Sequence, residues 1–270
     1  MKQIVNSNVT HDWPNVVVDY HKKIELFIDT PMGYDGNKDT FKIFWVKEAE
    51  EIIPMKKWVI ENHKNFDIIL TYENDVLDNC DNSHFMPFGS TWIMDYDFGY
   101  KRFCVSNLVG NKNITVGHML RSIIHTNQND IRIPKDFYVS RFGGPNIMSG
   151  NKILGQTKNP LFNSQFHICI ENSKQSNLFT EKLIDCLITK TVPIFYGCDN
   201  ISDFFNVKGF FIVNNLEDVL GVCNSLTETT YSEMVTHIED NYNTSLKYAD
   251  LSDNFRIRIN EILNHKNGSI

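Results

Sequence analysis

A chain of 270 residues, 41% hydrophobic and 22% charged, has the composition of a globular protein and can bury a core without help from disulfides or metal. Its formal net charge is −7 and its basic residues are scattered, which argues against a nucleic-acid partner. No apolar run reaches the roughly 18 residues of a membrane span, and the N-terminal MKQIVNSNVTHDWPN lacks a signal-like apolar core, so a soluble, cytoplasmic protein is expected.

In chain order, short runs rich in Ile, Val, Phe and Tyr predict strands at IELFID (24–29), FKIFWV (41–46), DIILTY (67–72), RFCVSN (102–107), FYVS (137–140), FHICI (166–170), VPIFY (192–196) and FFIV (210–213). Helical patterns fall at 48–62, 116–127, 180–189, 215–226, 230–246 and 253–265. This alternation predicts an α/β protein with parallel sheets covered by helices. The stretch DYDFGYK interrupts the rhythm and sets a domain boundary near residues 97–108. Six cysteines form no C-x-x-C pair, and several lie in apolar runs, so buried free thiols are expected.

The chemistry concentrates in FHICIENSKQSNLFTEKLID. Glu171, Asn172 and Ser173 follow a continuous apolar strand, where ligands of doubly wound sheets bind. Thr180 is placed to cap the next helix, which Glu181 and Lys182 open. An amide, hydroxyls, a lysine and helix N–H groups are the elements of a diphosphate site. Glu181 suits ribose hydroxyls instead. The same residues also fit a solvated helix start, since the dipole alone favours a first-turn glutamate.

The stretches FHICIENS, NLFTEKLID and TVPIFYGCDNI resemble the signature of family 10 glycosyltransferases, the GDP-fucose-dependent α-1,3/1,4-fucosyltransferases and their relatives. The resemblance is strong over residues 160–213 and fades outside them. It implies a GT-B fold of two facing Rossmann-like domains, with an acceptor domain over 1–100 and a nucleotide-sugar domain over 101–270. The last helix, 253–265, is expected to pack back toward the hinge. Carried over by position, Asn172, Glu181 and Lys182 hold GDP, Glu181 at the ribose and Lys182 at the diphosphate. Phe179 stands where the family has Tyr, so a stacking contact is expected there without a phenolic hydrogen bond. Ser173 and Thr180 join the nucleotide site. Gly197, Cys198 and Asn200 match the next turn, with Asp199 in place of the usual Pro. In GHMLR (117–121), Arg121 is the expected phosphate-binding arginine, followed by His118, then Lys101 or Arg102.

The resemblance further implies inverting transfer of a sugar, L-fucose from GDP-fucose, to a glycan hydroxyl, with no metal or other cofactor. The family's base is a glutamate just after an N-terminal strand. Glu48 follows FKIFWV, with Glu50 and Glu51 as competitors. Other readings stay open at this point. These are a different donor, such as xylose or a UDP-linked sugar; a metal-dependent enzyme using Asp95-Tyr96-Asp97; and a non-catalytic glycan-binding or structural domain. Trp13, Trp45, Trp58 and Trp92 could stack on sugars, but at this density most belong in a core.

Overall fold

The computed structural model describes residues 2–7, 16–93, 95, 99–141, 143 and 151–267, and each of the eight predicted apolar runs forms a strand. Contacts divide the chain into two units, Met1–Phe88 with Asp250–Ile270, and Gly89–Ala249. The division expected from the sequence has its boundary at about residue 100, with the last helix in the second domain. The contacts group residues 89–100 with the second unit and the last helix with the first.

The first unit opens with β1 (Lys2–Ile4), β2 (Asn6–Ser7), β3 (Val17–Asp19), β4 (Lys23–Ile28) and β5 (Thr40–Trp45). It continues through α1 (Lys56–Asn62), β6 (Ile68–Thr71), α2 (Asn74–Asn79) and β7 (Ser83–Phe85). Strands β2-β4-β5-β6-β7 form a parallel sheet, while β1 pairs antiparallel with β3. Every residue of β5 and β6 is buried, as expected of parallel strands covered on both faces.

The helix expected over 48–62 starts only at Lys56. Pro54 disfavours helical backbone at Ile53, and the chain turns first, with Ile52 and Ile53 both donating to the Ala49 carbonyl at 2.8 and 3.0 Å. Glu48 therefore lies in a connection and not on a helix.

The second unit contains β8 (Arg102–Val109), α3 (Val116–Thr126), β9 (Lys135–Val139), β10 (Lys152–Ile153), β11 (Ser164–Ile170) and α4 (Glu181–Ile188). Then come β12 (Val192–Tyr196), β13 (Phe211–Ile212), α5 (Leu216–Ser225), α6 (Thr230–Glu233) and α7 (Val235–Ala249). All six strands are parallel, in the order β10-β9-β8-β11-β12-β13. Counted within the unit, this is the doubly wound order 3-2-1-4-5-6. One sheet face packs Cys169 and Phe195 against Leu183, Ile184 and Leu187 of α4. The other packs Phe166, Ile168 and Ile194 against Leu120 and Ile124 of α3 and Val219 of α5. Winding reverses between β8 and β11, which opens a crevice beyond their carboxyl ends.

Helix α8 (Leu251–Asn267) belongs to the first unit. It buries Phe255, Ile259, Ile262 and Leu263 in the core that holds Ile43, Trp45 and Leu70. All six cysteines are free and buried. Among the described residues, no helix is long and apolar enough to cross a membrane.

Candidate functional site

At the switch point, Glu171 leaves β11 into a fully buried position. Its Oε1 accepts the Thr180 N–H at 2.8 Å and its Oε2 accepts the Thr180 hydroxyl at 2.7 Å. Lys182 Nζ lies 3.4 Å from Oε2 and 3.2 Å from Glu181 Oε1. Thr180 caps α4 as its sequence position predicts, its hydroxyl oxygen accepting from Lys182 N and Nζ at 3.4 and 3.0 Å. One threonine therefore joins the strand end to the helix start.

Two glycines allow this closeness. A Cβ on Gly117, in the first turn of α3, would lie 1.9 Å from the Glu171 carbonyl oxygen. A Cβ on Gly197, just past β12, would lie 2.7 Å from Glu171 Cγ. The Gly117 N–H donates to the Asn172 carbonyl at 3.0 Å.

Arg121, on α3, reaches the same strand end. Its Nη1 donates to the Ile170 carbonyl at 2.8 Å and its Nη2 to Asn172 Oδ1 at 2.6 Å. Burial lowers the guanidinium pKa, with Glu171 and Glu181 opposing, but an arginine remains charged. Glu181 is buried as well. Burial works against its charge, but Lys182 and Lys158, with hydrogen bonds from Lys182 and Thr180, outweigh it and hold the carboxyl at about 2. Lys182 shifts the other way. Its burial disfavours the cation, yet Glu181 and Glu171 raise its pKa above the usual lysine value. The two partners agree in sign, as a genuine ion pair requires.

Some expected residues do not serve as foreseen. Phe179 is fully buried, with its ring 5.0 Å from Phe204, 5.3 Å from Phe205 and 5.1 Å from Tyr248. It supports the loop and offers no face to a base. His118 is held neutral, near pKa 4, by burial and by Arg121, Lys112 and Lys182. Its Nδ1 accepts the Thr115 N–H at 3.2 Å within the capping box of α3, so it adds no positive charge. Lys101 and Arg102 sit at the opposite, amino end of β8. Lys101 donates to Phe162 and Thr191, and Arg102 pairs with Asp136. The N–H groups of Lys182, Leu183 and Ile184 already turn to Thr180, so side chains carry the site's full positive charge. Ser173 is buried in the same loop. Asn200 exchanges hydrogen bonds with Asn177, receiving its N–H at 2.7 Å and donating to its side-chain oxygen at 2.8 Å, which latches the loops after β11 and β12. Lys174 pairs with Asp199 at 3.2 Å, so a salt bridge braces the turn where the family has Pro.

Lys158 and Asp185 are not among the residues the sequence points to, and Glu171, which the sequence places just after the apolar strand, receives no role there. Lys158 Nζ bonds Asp185 Oδ2 at 2.9 Å and approaches Glu181 Oε1 at 3.7 Å, across 27 residues in the first case, and no local pattern announces that.

In the first unit, the carboxyl end of β5 leads to Lys47 and Glu48. Asp29 Oδ1 accepts their N–H groups at 2.6 and 3.0 Å, and Tyr72 donates its hydroxyl to the Glu48 carbonyl at 3.1 Å. Burial pushes the Asp29 carboxyl up to about 6 despite those two N–H bonds. Among the described residues, no hydrogen bond or ion pair engages the Glu48 carboxylate. Glu50, by contrast, accepts the Lys56 N–H at 2.9 Å at the start of α1, and Glu51 is exposed. Of the Asp-x-Asp tripeptide, Asp95 is exposed and Asp97 lies outside the described residues, as does Trp13. Among the described residues, no cluster of three or more His, Cys, Asp or Glu could hold a metal.

Residues 128–261, which include the α4 site, match the model of glycosyltransferase family 10 (fucosyltransferase), C-terminal part. This segment is a family 10 glycosyltransferase domain. A stretch of 75 residues is 32% identical to alpha-(1,3)-fucosyltransferase FucT of Helicobacter pylori, covering 28% of this chain and 14% of that protein. A crystal structure of an alpha1,3-fucosyltransferase with GDP-fucose superposes with a TM-score of 0.51 at 14% identity, over 84% of this chain and 80% of that one. The alpha,alpha-trehalose 6-phosphate synthase of Burkholderia multivorans gives 0.60 at 10% identity, over 92% and 72%. These likenesses are of fold, and the fold class is that of GT-B glycosyltransferases.

The Glu181 shift fixes a pH dependence. Its folded pKa of about 2 lies below the ordinary 4.5, so its contribution to stability is complete above 4.5 and is lost as pH falls toward 2. The urea midpoints of the wild type and Glu181→Gln should differ by a constant amount above about pH 5 and converge as pH falls from 4.5 toward 2. A gap undiminished at pH 2 would contradict the ion-pair account.

Proposed function

We propose that the chain is a glycosyltransferase that moves a sugar, L-fucose from GDP-fucose, to a glycan hydroxyl with inversion and without a metal ion. The observation that carries this reading is that Arg121 reaches the strand end beside Lys182 and Glu181, which lie in the segment matching family 10. Lys182 and Arg121 take the diphosphate, with the Asn172 NH₂ group as a further donor. Glu181, ionised at any physiological pH, accepts from the ribose hydroxyls. The choice of fucose follows the Helicobacter pylori fucosyltransferase and the GDP-fucose complex of the solved relative.

In the reaction, the acceptor oxygen attacks the anomeric carbon from the face opposite the diphosphate. The bond from that carbon to the phosphate oxygen breaks, and GDP leaves with the electron pair. Lys182 and Arg121 stabilise the charge that develops on the leaving group, which is where a cation would otherwise be needed. The acceptor hydroxyl's proton passes to Glu48. Among the three acids of its segment, Glu48 suits a base because no group among the described residues engages its carboxylate, whereas Glu50 is committed to α1. The backbone bonds from Asp29 fix where Glu48 leaves the strand.

Two substitutions test the roles separately. Lys182→Ala should weaken GDP binding by about 1.5–3 kcal/mol, the scale of a charge-assisted hydrogen bond, in a calorimetric titration. Unchanged affinity there would remove Lys182 from the donor site. Glu48→Gln should bind GDP like the wild type while turnover of GDP-fucose falls by about 10²-fold or more. If Glu50→Gln loses turnover and Glu48→Gln keeps it, the base is Glu50.

A further inference from the structure

The short segment Thr91–Ile93 is held by an unusual degree of buried charge. Asp185, on α4, is fully buried, and its Oδ1 accepts both the Thr91 hydroxyl at 2.7 Å and the Trp92 N–H at 2.8 Å. Its Oδ2 takes Lys158 Nζ at 2.9 Å. Ile93 packs into the core beside Leu183 and Leu187, and its N–H donates to the Thr91 hydroxyl oxygen at 3.0 Å. The backbone on both sides of Trp92 is thus anchored, yet the Trp92 side chain is 60% exposed. Lys158 Nζ lies 4.2 Å from the centre of the indole ring, over one face. A cation against one face orients the ring and favours presentation of the other. A fixed, exposed tryptophan costs apolar hydration with no return inside the fold, which is what a stacking surface for a ligand looks like.

Its position says which part of a ligand it meets. A series of contacts joins the site to Trp92: Arg121 to Asn172, Lys182 to Glu171 and Glu181, Glu181 to Lys158, and Lys158 to Trp92. These supply cations, then a carboxylate, then an aromatic plane with the Lys158 cation against it. A nucleoside diphosphate presents its groups in the same order, as phosphates, ribose hydroxyls and a flat base. Phe179, the residue expected to stack, is buried and unable to do so. We infer that Trp92 is the platform on which the nucleobase of the donor stacks, backed by Lys158 and fixed by Asp185. The inference rests on the donor-site reading above. Stacking accepts any base, so Trp92 supplies affinity for the nucleoside and leaves the choice of base to other groups.

Calorimetric titration with GDP and with inorganic pyrophosphate tests it. Trp92→Ala should weaken GDP binding about tenfold or more and leave pyrophosphate binding unchanged, and Trp92→Phe should restore most of the GDP affinity. Equal GDP affinity in wild type and Trp92→Ala overturns the platform while the donor site stands. Equal loss for GDP and pyrophosphate also overturns it, because the residue then supports the fold and not the base. A wild type that binds neither compound overturns the donor reading itself. A second readout needs no alanine variant: GDP should quench indole emission in the wild type, and Trp92→Phe should lose that quenching while still binding GDP. Undiminished quenching in Trp92→Phe overturns the platform.

Discussion

The second unit is organised around one buried carboxylate. Glu171 ends the central strand of a parallel sheet, where an unpaired charge would cost several kcal/mol. Its compensation comes from residues nine and eleven positions further along, Thr180 and Lys182. Satisfying Glu171 therefore folds the ENSKQSNLF loop back and starts α4 at one place. Gly117 and Gly197 are needed because α3 and the β12 turn close around the same carboxylate. Replace Glu171 by an apolar residue and Thr180 and Lys182 lose the group that positions them, even though neither is touched.

The cations of the crevice are consequently braced before any ligand arrives. Arg121 is tied to the end of β11, Lys182 to two glutamates, and Lys158 to Glu181 and Asp185. These three cations are balanced by three carboxylates, Glu171, Glu181 and Asp185, so the site's own residues carry little net charge. Such a site does not attract phosphate through a broad positive field. It offers fixed donors whose geometry is already set, which limits the reorganisation needed when charge develops on a leaving group. The first unit repeats the principle on a smaller scale. Asp29 holds the N–H groups of Lys47 and Glu48, and so aims a carboxylate without contacting it.

Legibility in the sequence followed the range of the forces involved. Parallel strands buried on both faces read as continuous apolar runs, and FHICI and VPIFY could hardly be anything else. The Thr180 cap was legible because capping is decided within four residues. The helix over 48–62 was overextended because acidic and apolar spacing outweighed Pro54. His118 carries the right atoms for phosphate, but the capping box of α3 engages its Nδ1, and burial with nearby cations keeps the ring neutral. Phe179 occupies an aromatic position whose side, core or crevice, depends on Phe204, Phe205 and Tyr248. The Trp92–Asp185 bond spans 93 residues, and nothing local to either residue foretells it.

The central claim is that this crevice holds a nucleoside diphosphate through protein cations alone. Calorimetric titration of the intact chain with GDP, first in EDTA and then with Mn²⁺, tests it most directly. The account predicts micromolar binding in EDTA that Mn²⁺ leaves unchanged. No binding of GDP, or binding that appears only with Mn²⁺, would contradict it.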